Sequence, residues 1–321
     1  MGKKDTRTKA YMSDPKYFAD AFNSAVFNGK QIVKADSLML QEMDPTEWGI
    51  VITDDTKDIV QKVRDILKKC IVMNDGNASY LLLGIENQSE VHYAMPVKNL
   101  VYDALNYSRQ VSKITASHKE DKDIRDAAEY LSGFSKNDKI MPIITLTVYF
   151  GAKEWDAPRS LKDMFPRNIS KKILDEVDDY RLHLIIPAEI KDFSLFKTEL
   201  GTAMKFIAAS ENSEKIEALS KDSTFESVSV ETVQLINECT GSELTVPEGE
   251  ENVNMCKGLE GYGKKERDKG REEGRILLLE EFVKKGIITA EDAASQAGMT
   301  TEEFSKALDK VKTSQLDSET N

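Results

Sequence analysis

Asp65-Ile66-Leu67-Lys68-Lys69-Cys70-Ile71-Val72, then Met73-Asn74-Asp75-Gly76-Asn77, then Tyr80-Leu81-Leu82-Leu83-Gly84-Ile85-Glu86-Asn87-Gln88 is the stretch from which the fold of this chain is read. Two β-like runs flank a connection rich in Asn, Asp and Gly, the residues that tolerate the backbone of a tight turn, so the stretch predicts a hairpin. Leu81, Leu82, Leu83 and Ile85 make the second run apolar on both faces, which predicts a central strand covered on two sides. Acids stand at the start of one run, Asp65, and near the end of the other, Glu86. Antiparallel neighbours lie about 5 Å apart, and two carboxylates that close repel unless a cation lies between them. An oxygen-only site of that kind suits Mg²⁺ or Mn²⁺. A surface salt bridge or solvated strand ends would account for two such acids equally well.

Outward from the hairpin, Asp14-Pro15 opens an amphipathic helix from Tyr17 to Phe27, closed by Asn28-Gly29, and residues 30 to 56 read as a connector. Pro96 starts a helix to about Val111 with Val97, Leu100, Val101, Ala104 and Leu105 as its apolar stripe. A polar helical segment follows over 117 to 132, ended by Gly133. The run Ile140 to Gly151 is rich in β-branched residues and predicts a strand. Another strand is expected from Tyr180 to Pro187 and a helix over 192 to 210. A β-β-α-β-β-α order after an initial helix describes an α/β fold, a mixed central sheet flanked by helices.

Residues 211 to 321 contain 25 acidic and 14 basic side chains, and the net charge of −12 is concentrated there. The first 210 residues are close to neutral, with a basic leader of Lys3, Lys4, Arg7 and Lys9, so charge does not exclude a polyanionic partner for them. Cys70, Cys239 and Cys256 lack CxxC spacing and suggest neither disulfides nor zinc. No run approaches the roughly 20 apolar residues needed to span a bilayer, and the first residues lack the apolar core of a signal peptide. A cytoplasmic protein without a membrane partner is expected.

Asp65 through Gln88, continued by Val91-His92-Tyr93-Ala94-Met95-Pro96-Val97-Lys98-Asn99-Leu100-Val101-Tyr102-Asp103-Ala104-Leu105, resembles the PD-(D/E)xK nuclease family transposases. These are related to the recombination-promoting nucleases and share the restriction-endonuclease-like core. The resemblance continues through Leu146 to Trp155 and Asp179 to Pro187, covers roughly residues 17 to 210, and extends to the charged Gly-Arg-Glu-Glu-Gly-Arg run at 270 to 275. It implies a metal-dependent DNA endonuclease in which Asp65 and Glu86 ligate Mg²⁺ or Mn²⁺ and the main-chain carbonyl of Asn87 is a third contact. Gln88 stands where the wider superfamily has lysine, as is usual in this subfamily; it orients a water but carries no charge. Lys98 is the candidate to supply that charge from the following helix, where Tyr102, Asn106 and Arg109 share its face; Tyr102 and Arg109 are DNA-contact candidates. Solvated flank residues of a packed helix are the plain alternative. Asp20, on the first helix, is the candidate for an additional acid. The alternative function is a weak or inactive relative that binds nucleic acid or protein.

The organisation implied is an N-terminal helix and connector over 1–56, a nuclease-like core over 57–210, an acidic helical or linker region over 211–272 and a helical tail over 273–321, disordered beyond about 312. Ala293 to Thr300 has a helix-turn-helix look, but Glu302, Glu303 and Asp309 would repel phosphates. The tail is therefore read as a packing or oligomerising extension, with a homo-oligomer among the expected assemblies.

Overall fold

The structure is a computed structural model that describes residues 3–40, 66–74, 77–124 and 126–320. Two compact units divide the chain, Met1–Ala208 with Ser229–Glu251, and Ala209–Val228 with Asn252–Asn321.

In the first unit, helix α1 (Lys3–Ser13) precedes α2 (Pro15–Ala25). Asp14 caps α2 by accepting from Lys16 N at 2.8 Å, and Pro15 presets the first turn. The chain leaves α2 through Asn28 at φ 51° and Gly29 at φ 81°. Asn23 then holds the exit: its Nδ2 donates to Val33 O at 2.8 Å, while its Oδ1 accepts from Ile32 N and Val33 N.

Strands β1 (Leu38–Leu40), β2 (Ile66–Asn74) and β3 (Asn77–Gln88) are antiparallel neighbours. The long helix α3 (Met95–Asp121) and the short α4 (Ala127–Ser132) lead to β4 (Ile143–Tyr149), which lies parallel to β3. A short helix α5 (Lys171–Asp175) precedes β5 (His183–Ile185), parallel to β4. The five strands follow the order β1-β2-β3-β4-β5, a mixed sheet with helices on it, as the sequence predicts. Helices α6 (Glu199–Ala209) and α8 (Val230–Thr240) belong to this unit as well, separated in sequence by α7 (Ser213–Leu219) of the second.

The two faces of the sheet differ in chemistry. Alternation puts Ile144, Leu146 and Val148 of β4 on one face and Ile143, Thr145, Thr147 and Tyr149 on the other. Leu83 and Ile85 of β3 are fully buried, and Lys68, the ladder partner of Leu83, reaches Ser13 O at 2.6 Å, which sets α1 over that face. The opposite face belongs to α3, and there polar contacts run beside apolar clusters around Met95 and Tyr149 and around Leu67, Leu82 and Ile143. Asn99 Nδ2 donates to Thr147 Oγ1 at 3.0 Å and Thr145 Oγ1 donates to Asp103 Oδ1 at 2.6 Å. Ile143 N donates to Tyr107 OH at 3.1 Å, and Met141 N donates to Gln110 Oε1 at 2.6 Å.

This corrects the expected orientation of α3. Its buried face is Met95, Pro96, Asn99, Tyr102, Asp103 and Asn106, whereas Val97 and Ala104 of the anticipated apolar stripe are exposed and Leu100, Val101 and Leu105 half-buried. Two buried threonine hydroxyls on β4 require partners, and only the polar side of the helix supplies them.

In the second unit, α9 (Cys256–Lys284), α10 (Ala290–Ala297) and α11 (Thr301–Thr320) enclose Ile276, Leu279, Ala293, Ala294 and Phe304. Helix therefore begins at Cys256, inside the stretch read as linker, and continues to Thr320 where disorder is expected; neither Gly nor Pro interrupts Thr301 to Thr320. Gly298 turns α10 into α11 at φ 74°, and Thr300 and Glu303 form the anticipated capping box.

At the far end of α3, His118 lies between two acids, Nδ1 2.6 Å from Asp123 Oδ1 and Nε2 2.8 Å from Asp138 Oδ2. Only the imidazolium donates to both, and the Asp123 bond, then the Asp138 bond, raise its pKa above the ordinary value. The stabilisation is complete below about pH 6.5, the ordinary unfolded value, and is lost as pH rises through the raised folded value. We expect the melting temperature of the parent to fall across that range while His118→Gln shows a flatter profile; identical slopes in a thermal-melt series would reject the clamp.

Candidate metal and nucleic-acid site

The site forms where β3 ends and α3 begins. Glu86 is 1% exposed, on the α3 face of the last turn of the ladder, beside Thr147 of β4. Met95 N donates to His92 O and Lys98 N to Ala94 O, and Pro96 presets the first turn of α3. That turn delivers Lys98, whose Nζ lies 3.0 Å from Glu86 Oε2. The structure thus brings Lys98 and Glu86 together.

Gln88 shares the face of Glu86 and is half-buried; its Nε2 donates to the carbonyl of Asn87 at 2.9 Å. The carbonyl expected as a metal contact therefore already accepts one hydrogen bond. A cavity of about 440 Å³ opens beside these groups, lined among others by Thr8, Gln88, His92 and Lys98. Burial, and then the Lys98 charge, depress the His92 pKa and favour the neutral ring.

Asp65 lies outside the described residues, as does all of 41–65. Among the described residues no group of three His, Cys, Asp or Glu side chains has the arrangement of a metal site. Cys70 is buried with its thiol pKa raised by burial, and burial pushes the Cys239 thiol to about 12, so neither is a nucleophile. No described helix is long and apolar enough to cross a membrane.

Asp20 does something other than the role expected of it. Its Oδ1 accepts from Lys197 N at 2.8 Å, and its Oδ2 accepts from Thr198 N at 2.9 Å and Thr198 Oγ1 at 2.6 Å. With 3% exposure it ties α2 to the N-terminus of α6, where negative charge is favoured. Tyr102 is also reassigned, because at 7% exposure it offers no surface to DNA; its ring lies 5.9 Å from Lys98 Nζ and walls the lysine in. Arg109 is half-buried, and Asn106 turns its amide back to Tyr102 O at 2.8 Å.

Sequence reasoning missed Asn99, Asp103, Thr145, Thr147 and Tyr180. Asp103 Oδ2 accepts from Tyr180 OH at 2.6 Å in addition to the Thr145 bond. The signal that could have found them is the Thr-x-Thr spacing at 145 and 147 inside a predicted strand: where such a strand is covered, hydroxyls on one buried face demand polar partners.

The family profile described as "Putative transposase, YhgA-like" matches residues 56–225, more than half of the chain. No curated protein and no solved structure matches the chain.

Removing the Asp20 carboxylate leaves two buried amides and a hydroxyl without their acceptor. Asp20→Ala should therefore cost about 2–4 kcal/mol of stability, read as a lower urea midpoint; an unchanged midpoint would refute the tether.

Proposed function

This chain belongs to the family of YhgA-like putative transposases, and on that premise we propose that it is a metal-dependent DNA endonuclease serving recombination or mobile-element activity. The observation that carries the reading is the buried Glu86 carboxylate held 3.0 Å from Lys98, which lines a cavity of about 440 Å³ together with Asn87 and Gln88. The donor chemistry fits a hard cation: Glu86 and the Asn87 carbonyl offer oxygen ligands. Asp65 joins them as a proposed ligand on the strength of the family resemblance. When bound, Mg²⁺ or Mn²⁺ polarises a phosphodiester and acidifies water.

The side chains of this site do the rest. Lys98 supplies the positive charge that Gln88 lacks and lines the cavity, where a phosphate would gain from it. Tyr102 limits the directions open to the lysine. Gln88, braced on the Asn87 carbonyl, keeps its own carboxamide oxygen as an acceptor that orients water.

One observation favours the second reading, a nuclease-fold module that binds nucleic acid or protein without cutting it. Lys98 already partners the buried Glu86 carboxylate, so the acid has a counter-charge when no cation is bound. Titration calorimetry separates the two: a nuclease binds Mn²⁺ in the absence of DNA and loses that binding in Glu86→Gln.

For the leading reading, supercoiled plasmid with Mg²⁺ or Mn²⁺ should be nicked by the parent. Glu86→Ala and Asp65→Ala should lower the rate by about 10²–10⁴-fold, and Lys98→Ala by about 10²-fold with partial recovery in Lys98→Arg. A parent that does not nick, or nicking that survives Glu86→Ala unchanged, would sink the assignment.

A further inference from the structure

We propose that Asn99 and Thr147 are positioning residues, whose buried hydrogen bond fixes Lys98 on Glu86. The inference rests on the reading of Glu86 and Lys98 as the working end of the site, and its first measurement is independent of catalysis.

Both residues are 0% exposed, and Asn99 Nδ2 donates to Thr147 Oγ1 at 3.0 Å. Thr147 is the ladder partner of Glu86, so the threonine hydroxyl and the carboxylate stand side by side on neighbouring strands, about 4.8 Å apart in the backbone. Asn99 directly follows Lys98. The bond therefore pins the helix one residue from the lysine to the strand position level with the acid. Lysine has a long flexible stem and a charge without directional preference, so the placement of its head depends on where its Cα is held. The ion pair fixes the head of Lys98 on the buried carboxylate but leaves the Cα that carries its flexible stem to be held by other contacts.

Two features separate positioning from simple packing. Asn99 Oδ1 is buried with no hydrogen-bond partner among the described residues. An acceptor buried that way is a stability cost, and an apolar residue of the same volume would avoid it; what asparagine contributes is the Nδ2 donor. Further along, Asp103, Tyr107 and Gln110 attach α3 to β4 and the residues before it. Loss of the Asn99 bond thus leaves the helix docked and loosens the turn that bears Lys98.

The test compares Thr147→Val, Thr147→Ser and Asn99→Leu with the parent. Lysine amines are acetylated with acetic anhydride under native conditions and read by mass spectrometry, with Lys119 and Lys139 as internal references. Lys98 should label several-fold faster in Thr147→Val and Asn99→Leu, and at the parental rate in Thr147→Ser, which keeps the hydroxyl. In plasmid nicking the first two variants should lose on the order of tenfold in kcat with KM nearly unchanged, and Thr147→Ser should restore it. Parental Lys98 labelling in both folded variants overturns the inference, as does release of Lys98 in Thr147→Ser. If the parent itself does not nick, the endonuclease reading fails and the labelling alone decides the positioning role. If Thr147→Val does not fold, Asn99→Leu carries both measurements.

Discussion

Two threonine hydroxyls on a strand covered on both faces impose the constraint from which the rest of this architecture follows. Thr145 and Thr147 project from β4 into the layer beneath α3, where water does not satisfy them, and the helix answers with Asp103 and Asn99. The pattern extends toward the start of the strand and the residues before it, to Tyr107 at Ile143 and Gln110 at Met141. Helix positions 99, 103, 107 and 110 meet strand positions 147, 145, 143 and 141. A four-residue step rises about 6 Å along a helix and a two-residue step about 6.6 Å along a strand, so the two ladders stay in phase for three turns. Apolar packing tolerates sliding because it has no direction. A hydrogen-bonded seam of this kind sets the axial position and rotation of the helix together.

The opposite face of the sheet is held differently. Leu83, Ile85, Leu146 and Val148 supply apolar burial, as do Phe18 and Phe22 of α2. Polar groups in this part of the unit act at chain ends rather than across a layer. Asp20 satisfies the amides that open α6, Asp14 those that open α2, and Lys68 donates to the last carbonyl of α1 while lying 5.0 Å from the Phe18 ring. Cohesion and register are thus divided between the two faces. The site residues Glu86 and Lys98 belong to the face where register is specified, at the end of the seam nearest the first turn of α3.

The hairpin was legible because its turn chemistry and its doubly apolar second strand point to one arrangement, and the ladder from Ile66–Ile85 to Asn74–Asn77 follows it. Glu86 and Lys98 were each singled out in that run, but their contact was not legible, since it depends on how the first turn of α3 sits against the end of β3. The orientation of α3 was not. Val97, Leu100, Val101, Ala104 and Leu105 form an apolar stripe that a surface helix would ordinarily bury, and the competing demand came from Thr145 and Thr147, some 40 residues on. Asp20 was misassigned for a related reason: a helix acid reads alike whether it faces a cation or, as here, the amides of residues 197 and 198, and nothing local distinguishes the two. Helix α9 was hidden by its glycines, since Gly258, Gly261 and Gly274 weaken local propensity without preventing a continuous helix.

The same division explains how Gln88 coexists with a charged site. A lysine at position 88 would sit on the strand that bears Glu86, two residues away, and its place relative to the acid would follow from strand geometry alone. Lys98 reaches Glu86 from a separate element, so the charge is correctly placed only while α3 keeps its register on β4. A strand-borne lysine survives small movements of the neighbouring helix; a helix-borne one does not. On the proposed reading, moving the cation from strand to helix transfers the precision of the site to the polar seam, and gives its two buried hydrogen bonds, Asn99 to Thr147 and Thr145 to Asp103, a role that stability alone does not require.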